Sequence, residues 1–309
     1  MIKNKQSFLS VFFLLILFLS ANIVHAQTYN EEFNRRDEHK KRDKEFYSRM
    51  IKELRRGKLV DNPDSINSLL DKLPSFSIYK DNFICTGFNA GHKLSANNAD
   101  ALFQLSFKQR VTKSKLPWDT HLFITYTQLA FWDIYKKSAP FSELDYNPTL
   151  ALGKYFIKDN RLIGYGTFQF EHQSNGRDST ESRDINAITM SFNQFFNDNF
   201  QWHAKVTMPV VLGLYTKDIF RYRGYLRVGA DYKTSNNKFR TSAIIEKRGR
   251  WDWGFNIQLE AAYQIGNLDN IFAYMQFYSG YAQGIIDYKV HENYLRVGIV
   301  LKHDFLTSH

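Results

Sequence analysis

The 309-residue chain has one cysteine, Cys85, so no internal disulfide framework can hold it together. That cysteine reads as a small apolar side chain, buried or facing lipid, rather than as a reactive thiol. Prolines number only six, which leaves room for long uninterrupted strands. Beyond residue 26 no apolar run approaches the ~20 residues that a membrane-spanning helix needs. With a mean hydropathy of −0.44 this excludes a helical bundle of the inner-membrane type. The one long apolar run, from Phe8 to Leu19, follows Lys3 and Lys5 and leads to Val24-His25-Ala26. Residues 1–26 therefore read as a secretory signal cleaved to leave Gln27 first.

Aromatic residues are plentiful at 16%, with 27 Phe and 18 Tyr, as in a sheet girdled by aromatics at two lipid interfaces. Alternation with period two recurs through the chain. In 251–265, Trp251, Trp253, Phe255, Ile257, Leu259, Ala261, Tyr263 and Ile265 share one face against a largely polar one. In 102–109, Phe103, Leu105 and Phe107 oppose Gln104, Ser106 and Lys108. These spacings predict apolar-out, polar-in strands near 76–87, 100–111, 119–132, 148–158, 160–174, 183–197, 200–212, 219–232, 237–248, 251–265, 269–280 and 292–305. An even number of strands closes an antiparallel membrane barrel, so residues 76–309 are expected to form one of about 12 strands. A soluble sandwich is the alternative, but its strands usually run only about 5–6 residues. Residues 27–75 differ in kind: they are charged, with Phe46, Met50, Ile51 and Leu54 at helical spacing, then Ile66, Leu69, Leu70 and Leu73. They predict two short amphipathic helices or a partly disordered periplasmic extension, either a solvated tail or an arm for a partner or lipid headgroup.

The formal net charge is +10, and without Lys3 and Lys5 it is +8. Arg221, Arg223 and Arg227 alternate on one inward phase, and Arg240 and Arg248 share another. Against Asp231, Glu246 and Glu260 they predict a polar network that fills a narrow barrel rather than an anion pore. Nucleic acid is not an expected partner of an exported barrel; anionic lipid headgroups are.

The chemistry concentrates in His172-Gln173-Ser174-Asn175-Gly176-Arg177 and Asn186. Residues i and i+2 of a strand share a face, so His172 and Ser174 point the same way. A chain reversal around Ser179 sets position 172 opposite 186, with Cβ atoms roughly 4.5–5.5 Å apart. A nucleophile, a base and an amide to orient the base thus converge. His172 shares its phase with Leu162, Phe168 and Phe170, and Asn186 shares its phase with Ile188, Met190 and Phe192. On a membrane barrel that apolar face touches lipid, so a site built there expects a lipid substrate. Glu171, on the inward phase, and Glu143, expected in a loop, do not form a glycosidase pair.

YTQLAFW (126–132), SAPFSELDYNPTL (138–150), HQSNGR (172–177) with Asn186, and YSGYAQGIIDY (278–288) together resemble the outer-membrane phospholipase A family, over about residues 76–305. The resemblance implies a twelve-stranded outer-membrane barrel that hydrolyses phospholipid acyl esters, requires calcium, and is switched on when two barrels associate and share calcium ions. It implies Ser174 as nucleophile, His172 as base and then acid, Asn186 as the residue that holds the imidazole, and the Gly176 N–H as oxyanion donor. Its calcium ligands map to the Arg177 carbonyl and the Ser182 hydroxyl of one protomer and to Ser138 of the other. Where relatives tend to carry Asp followed by Pro in that loop, this chain has Ser179-Thr180. Two other classes share parts of this pattern: an acyltransferase using the same acyl-enzyme step, and a structural or porin barrel with no chemistry.

Overall fold

In a strand of alternating character one face must leave water, and here every strand does so by joining one closed sheet. The computed structural model describes residues 30–57, 63–112, 115–266, 268 and 270–302, so the expected signal segment lies outside the described residues. The strands are β1 (Phe76–Ile78), β2 (Asn82–Asn89), β3 (Ala99–Arg110), β4 (His121–Trp132), β5 (Phe141–Lys158), β6 (Arg161–Ser174) and β7 (Asp184–Phe195). They continue with β8 (Phe200–Leu212), β9 (Leu226–Lys233), β10 (Phe239–Lys247), β11 (Phe255–Gln264), β12 (Ile271–Tyr281) and β13 (His291–Leu301). Every pairing is antiparallel, and β13 pairs back onto β2, which leaves no edge. β1 and β2 both pair with β3 and are two parts of a single stave, so the barrel has twelve staves from thirteen strands.

Side chains sort by phase as the sequence predicts. Ile84, Ile124, Leu150, Phe168, Met190, Leu259 and Val297 are exposed on the outer wall, while Gln169, Asn193, Gln276 and Arg296 are buried inside. Apolar outside and polar inside is stable only where lipid bathes the wall, and closure leaves no backbone group of an edge unpaired there. Inside, Arg296 holds Asp100 in a two-point ion pair at 2.8 and 2.7 Å, Lys205 meets Glu171 at 2.7 Å, and Arg227 donates to Glu246 at 2.6 Å. These pairs leave a polar cavity of about 190 Å³ in the lumen. Cys85 is buried against Phe83, Leu102 and Phe272 in an inner apolar cluster.

The chain falls into two units, residues 1–50 and 51–309. In place of two short helices, α1 runs over Asn30–Arg56, 27 residues, followed by α2 over Pro63–Leu70. Within the second unit, residues 51–73 are tied to the barrel end away from the 172–186 hairpin. Arg110 donates to the Asp71 and Leu73 carbonyls, His121 lies 3.0 Å from Asp71, and Arg161 donates to the Arg55 carbonyl.

Several strand boundaries depart from expectation. The stave expected over 76–87 breaks at 79–81, where the chain dips inward so that the Tyr79 hydroxyl reaches Gln169 and the Lys302 ammonium reaches Asp81. Residues Phe220–Arg223 form a helical turn, so Arg221 and Arg223 do not alternate on a strand with Arg227. Trp251 and Trp253 stand fully exposed in a loop before β11 begins, and Arg248 lies past the end of β10. β5 starts seven residues before the expected position 148, at Phe141, which turns Glu143 from a loop residue into a buried strand residue whose carboxylate accepts the Ile285 and Ile286 N–H groups.

Candidate active site

β6 and β7 pair without a bulge, and the register sets His172 directly opposite Asn186 and Ser174 opposite Asp184. Past the strand ends the Asn175 N–H donates to the Arg183 carbonyl. Alternate residues of an antiparallel strand turn their backbone groups to opposite neighbours, so His172 and Asn186 form a non-hydrogen-bonded pair, the kind whose side chains approach most closely. His172 Nδ1 and Asn186 Oδ1 are 2.9 Å apart. An amide oxygen only accepts, so the bond assigns the proton to Nδ1 and leaves the Nε2 lone pair to act as base. Both side chains lie on the outer wall, among Phe168, Phe170 and Met190, which are about half exposed.

Ser174 shares this face and is flanked by Tyr146 of β5 and Asp184 of β7. Among the described residues no hydrogen bond joins it to His172. Bonds of this kind are often long before substrate binds.

The loop after Ser174 is shaped by Asn175, a residue to which the sequence analysis gave no role. It is buried, and its Nδ2 donates to the Glu181 carbonyl at 2.7 Å while its Oδ1 accepts from the Arg183 N–H at 3.0 Å and the Arg177 N–H at 3.3 Å. Asparagine in a turn commonly bonds nearby backbone in this way, the signal from which its role was legible. Gly176 follows with φ +65°, and a Cβ there would meet the Tyr146 ring at 2.9 Å, so conformation and space both demand glycine. Its N–H donates to nothing among the described residues. Asn175→Ala removes the partner of three backbone groups, and leaving a buried group unpaired costs roughly 1–3 kcal/mol. The expected result is a loop 175–183 that limited proteolysis cleaves faster, on a barrel whose heat resistance in detergent is unchanged.

Arg177 is anchored by Glu181 at 2.8 Å and by the Ser142 carbonyl at 2.6 Å. Its own carbonyl and the Ser182 hydroxyl accept no hydrogen bond among the described residues, and oxygens of this kind are the ligands a hard cation takes. No group of three His, Cys, Asp or Glu suited to a metal occurs among the described residues. Ser138, exposed and at φ +70°, lies on the neighbouring β4–β5 loop, whose shape is fixed by the Trp132 ring N–H on the Ala139 carbonyl. Nothing among the described residues joins Ser138 to Arg177 or Ser182 within one chain.

Behind the site the lumen is polar beneath β6 and apolar beneath β7. Gln173, between His172 and Ser174, accepts from Arg223 at 2.7 Å, whereas Ile185 and Ala187, on either side of Asn186, pack with Ile219, Phe220, Ala282, Ile285 and Tyr288. That cluster lies at this end of the barrel, and Ile185, Ala187, Phe220 and Ala282 of it line the lumen cavity. Above it the Tyr288 hydroxyl and the Lys289 ammonium hold the Asp218 carboxyl below the usual carboxylate range.

Residues 74–301 match the family model described as Phospholipase A1. Curated relatives include Phospholipase A1 of Klebsiella pneumoniae, 30% identical over 67% of this chain and 72% of the relative, and that of Escherichia coli K12, 28% identical over 67% and 71%. Among solved structures, outer membrane phospholipase A from Escherichia coli superposes with a TM-score of 0.65 at 24% identity, covering 75% of this chain and all of that one. The Salmonella typhi outer membrane phospholipase, a dimer with bound calcium, gives 0.64 at 24% identity over 76% and 94%. At that identity the structures speak for the fold, a closed twelve-stave barrel of the outer membrane, and the family match speaks for the chemistry: the chain belongs to the phospholipase A1 family.

Proposed function

We propose that the protein hydrolyses acyl esters of membrane phospholipids on the outer wall of its barrel, with Ser174 as nucleophile, His172 as base and then acid, and Asn186 as the group that orients the imidazole. The observation that carries this reading is the 2.9 Å His172–Asn186 pair on a face bathed in lipid, with Ser174 two residues along. A serine hydroxyl is a weak nucleophile until a neighbouring base takes its proton. His172 Nε2 accepts that proton as Ser174 Oγ bonds to the ester carbon, then returns it to the departing glycerol oxygen, leaving an acyl-serine and a lysophospholipid. Water activated by the same imidazole frees the fatty acid and restores Ser174. Asn186 fixes the tautomer but, being neutral, stabilises the imidazolium less than a carboxylate would. The Gly176 N–H is the backbone donor to the oxyanion.

The Arg177 carbonyl and Ser182 hydroxyl of one protomer, with Ser138 of a second, would hold calcium. When bound it supplies positive field near the developing negative charge. The calcium-bound dimer of the Salmonella typhi phospholipase supports reading the active form of this chain as a homodimer.

An acyltransferase would share the acyl-serine, so the deciding assay follows its fate. With detergent-dispersed phospholipid and calcium, free fatty acid should accumulate in step with lysophospholipid, even with a lysophospholipid or alcohol acceptor present. Acylated acceptor with little free acid would overturn the hydrolase reading in favour of transfer. A porin reading does not accord with a lumen crossed by ion pairs that leave a cavity of only about 190 Å³.

A further inference from the structure

Among the described residues only two prolines sit inside barrel strands, Pro148 in β5 and Pro209 in β8, and both flank the candidate site. The pairs Tyr146↔Ser174 and Thr149↔Glu171 bracket Pro148 opposite His172, and Pro209 pairs with Ala187, next to Asn186. Proline gives no N–H to a ladder. At Pro148 the loss falls on one atom. Asn175 turns its backbone to β7, so His172, three residues back and of opposite parity, turns its carbonyl to β5, where residue 148 would normally donate. Asn147 fills that gap: its Nδ2 donates to the His172 carbonyl at 3.1 Å, from a side chain that lines the lumen cavity.

We infer that Asn147 is a positioning residue for the reaction. It replaces the missing backbone donor and so fixes the height and tilt of His172 in the wall. A proline in mid-strand leaves the backbone of the base without its ladder bond, and a single side-chain amide from inside the barrel then sets where the imidazole stands. A displacement of about 1 Å in a catalytic group can lower a rate by on the order of 10²-fold, so a bond of modest strength can matter greatly to turnover.

The inference rests on the proposed role of His172, and the test separates the two. Fatty-acid release is measured on wild type, Ser174→Ala, Asn147→Leu, Pro148→Ala and Asn147→Leu/Pro148→Ala, each first shown to run as a heat-resistant barrel in detergent. Asn147→Leu keeps the shape but not the donor, and should lower kcat by about 10- to 100-fold with KM little changed. Pro148→Ala restores a backbone N–H and should by itself be active. In the double variant the new N–H takes the His172 carbonyl, and kcat should return to within a few-fold of wild type. If Pro148→Ala does not fold, Pro148→Val supplies the same N–H with a strand-favouring side chain, and Asn147→Gln tests rescue by a longer amide. Asn147→Leu within twofold of wild type overturns the inference, as does a folded double variant no more active than Asn147→Leu. Wild-type activity that survives Ser174→Ala would instead overturn the assignment of the site.

Discussion

Ser174→Ala and His172→Ala are each expected to abolish phospholipid hydrolysis while leaving a heat-resistant barrel. Both side chains project from the outer wall; the Ser174 hydroxyl makes no hydrogen bond among the described residues, and the one His172 makes, to Asn186, joins two strands that the backbone ladder already pairs. Truncation costs the sheet little, but loss of nucleophile or base removes the acyl-serine route, a fall on the order of 10³-fold or more. Asn186→Ala is milder, because an unheld imidazole still visits the productive orientation part of the time. The measurement is fatty-acid release at saturating calcium beside the heat-modifiable mobility of the folded barrel in gels. Activity of Ser174→Ala within a few-fold of wild type removes the assignment, and a larger loss for Asn186→Ala than for His172→Ala means the roles are wrongly distributed.

The second large effect is reciprocal. If Ser138 of one barrel completes a calcium site begun by Arg177 and Ser182 of another, calcium and association must strengthen each other by the same factor. Carbonyl and hydroxyl oxygens without a carboxylate bind calcium weakly, so an apparent affinity of about 10⁻⁴–10⁻³ M is expected. Cross-linking in detergent should trap more dimer with calcium and a substrate analogue than with chelator. Ser182→Ala should lower calcium affinity, dimer yield and activity together. A monomer fully active in excess chelator would leave a calcium-independent serine esterase in place of the shared site.

The outer wall was legible from residue types because period-two alternation states which side faces lipid. The His172–Asn186 register was legible because β6 and β7 pair without a bulge, so reversal about Ser179 sets every partner. What alternation does not reveal is where hydrogen bonding stops. Trp251 and Trp253 continue the pattern of β11 into a loop, and Phe220 and Tyr222 alternate with arginines inside a helical turn. That turn ends at Gly224, whose φ of +91° and close approach to the Lys247 carbonyl only glycine tolerates, a signal weightier than the alternation around it. Asn147 escaped notice for another reason. Its partner is a carbonyl, not a side chain, and no pattern of residue types marks a backbone atom deprived of its donor by a proline one strand away.

The outer-wall position of the site, with the apolar cluster of Ile185, Ile219, Phe220, Ile285 and Tyr288 behind it, bears on what an assay will read. With Ser174 and His172 on the outer wall, ester and products would meet the protein sideways, within the plane of one leaflet. Substrate supply is then a surface density and not a bulk concentration. Diluting phospholipid with inert detergent at constant total phospholipid should slow turnover, whereas diluting the whole suspension with micelle composition fixed should change it far less. Fatty acid and lysophospholipid, released into the same plane, would compete with fresh ester for the wall around Phe170 and Met190 long before they reach solution.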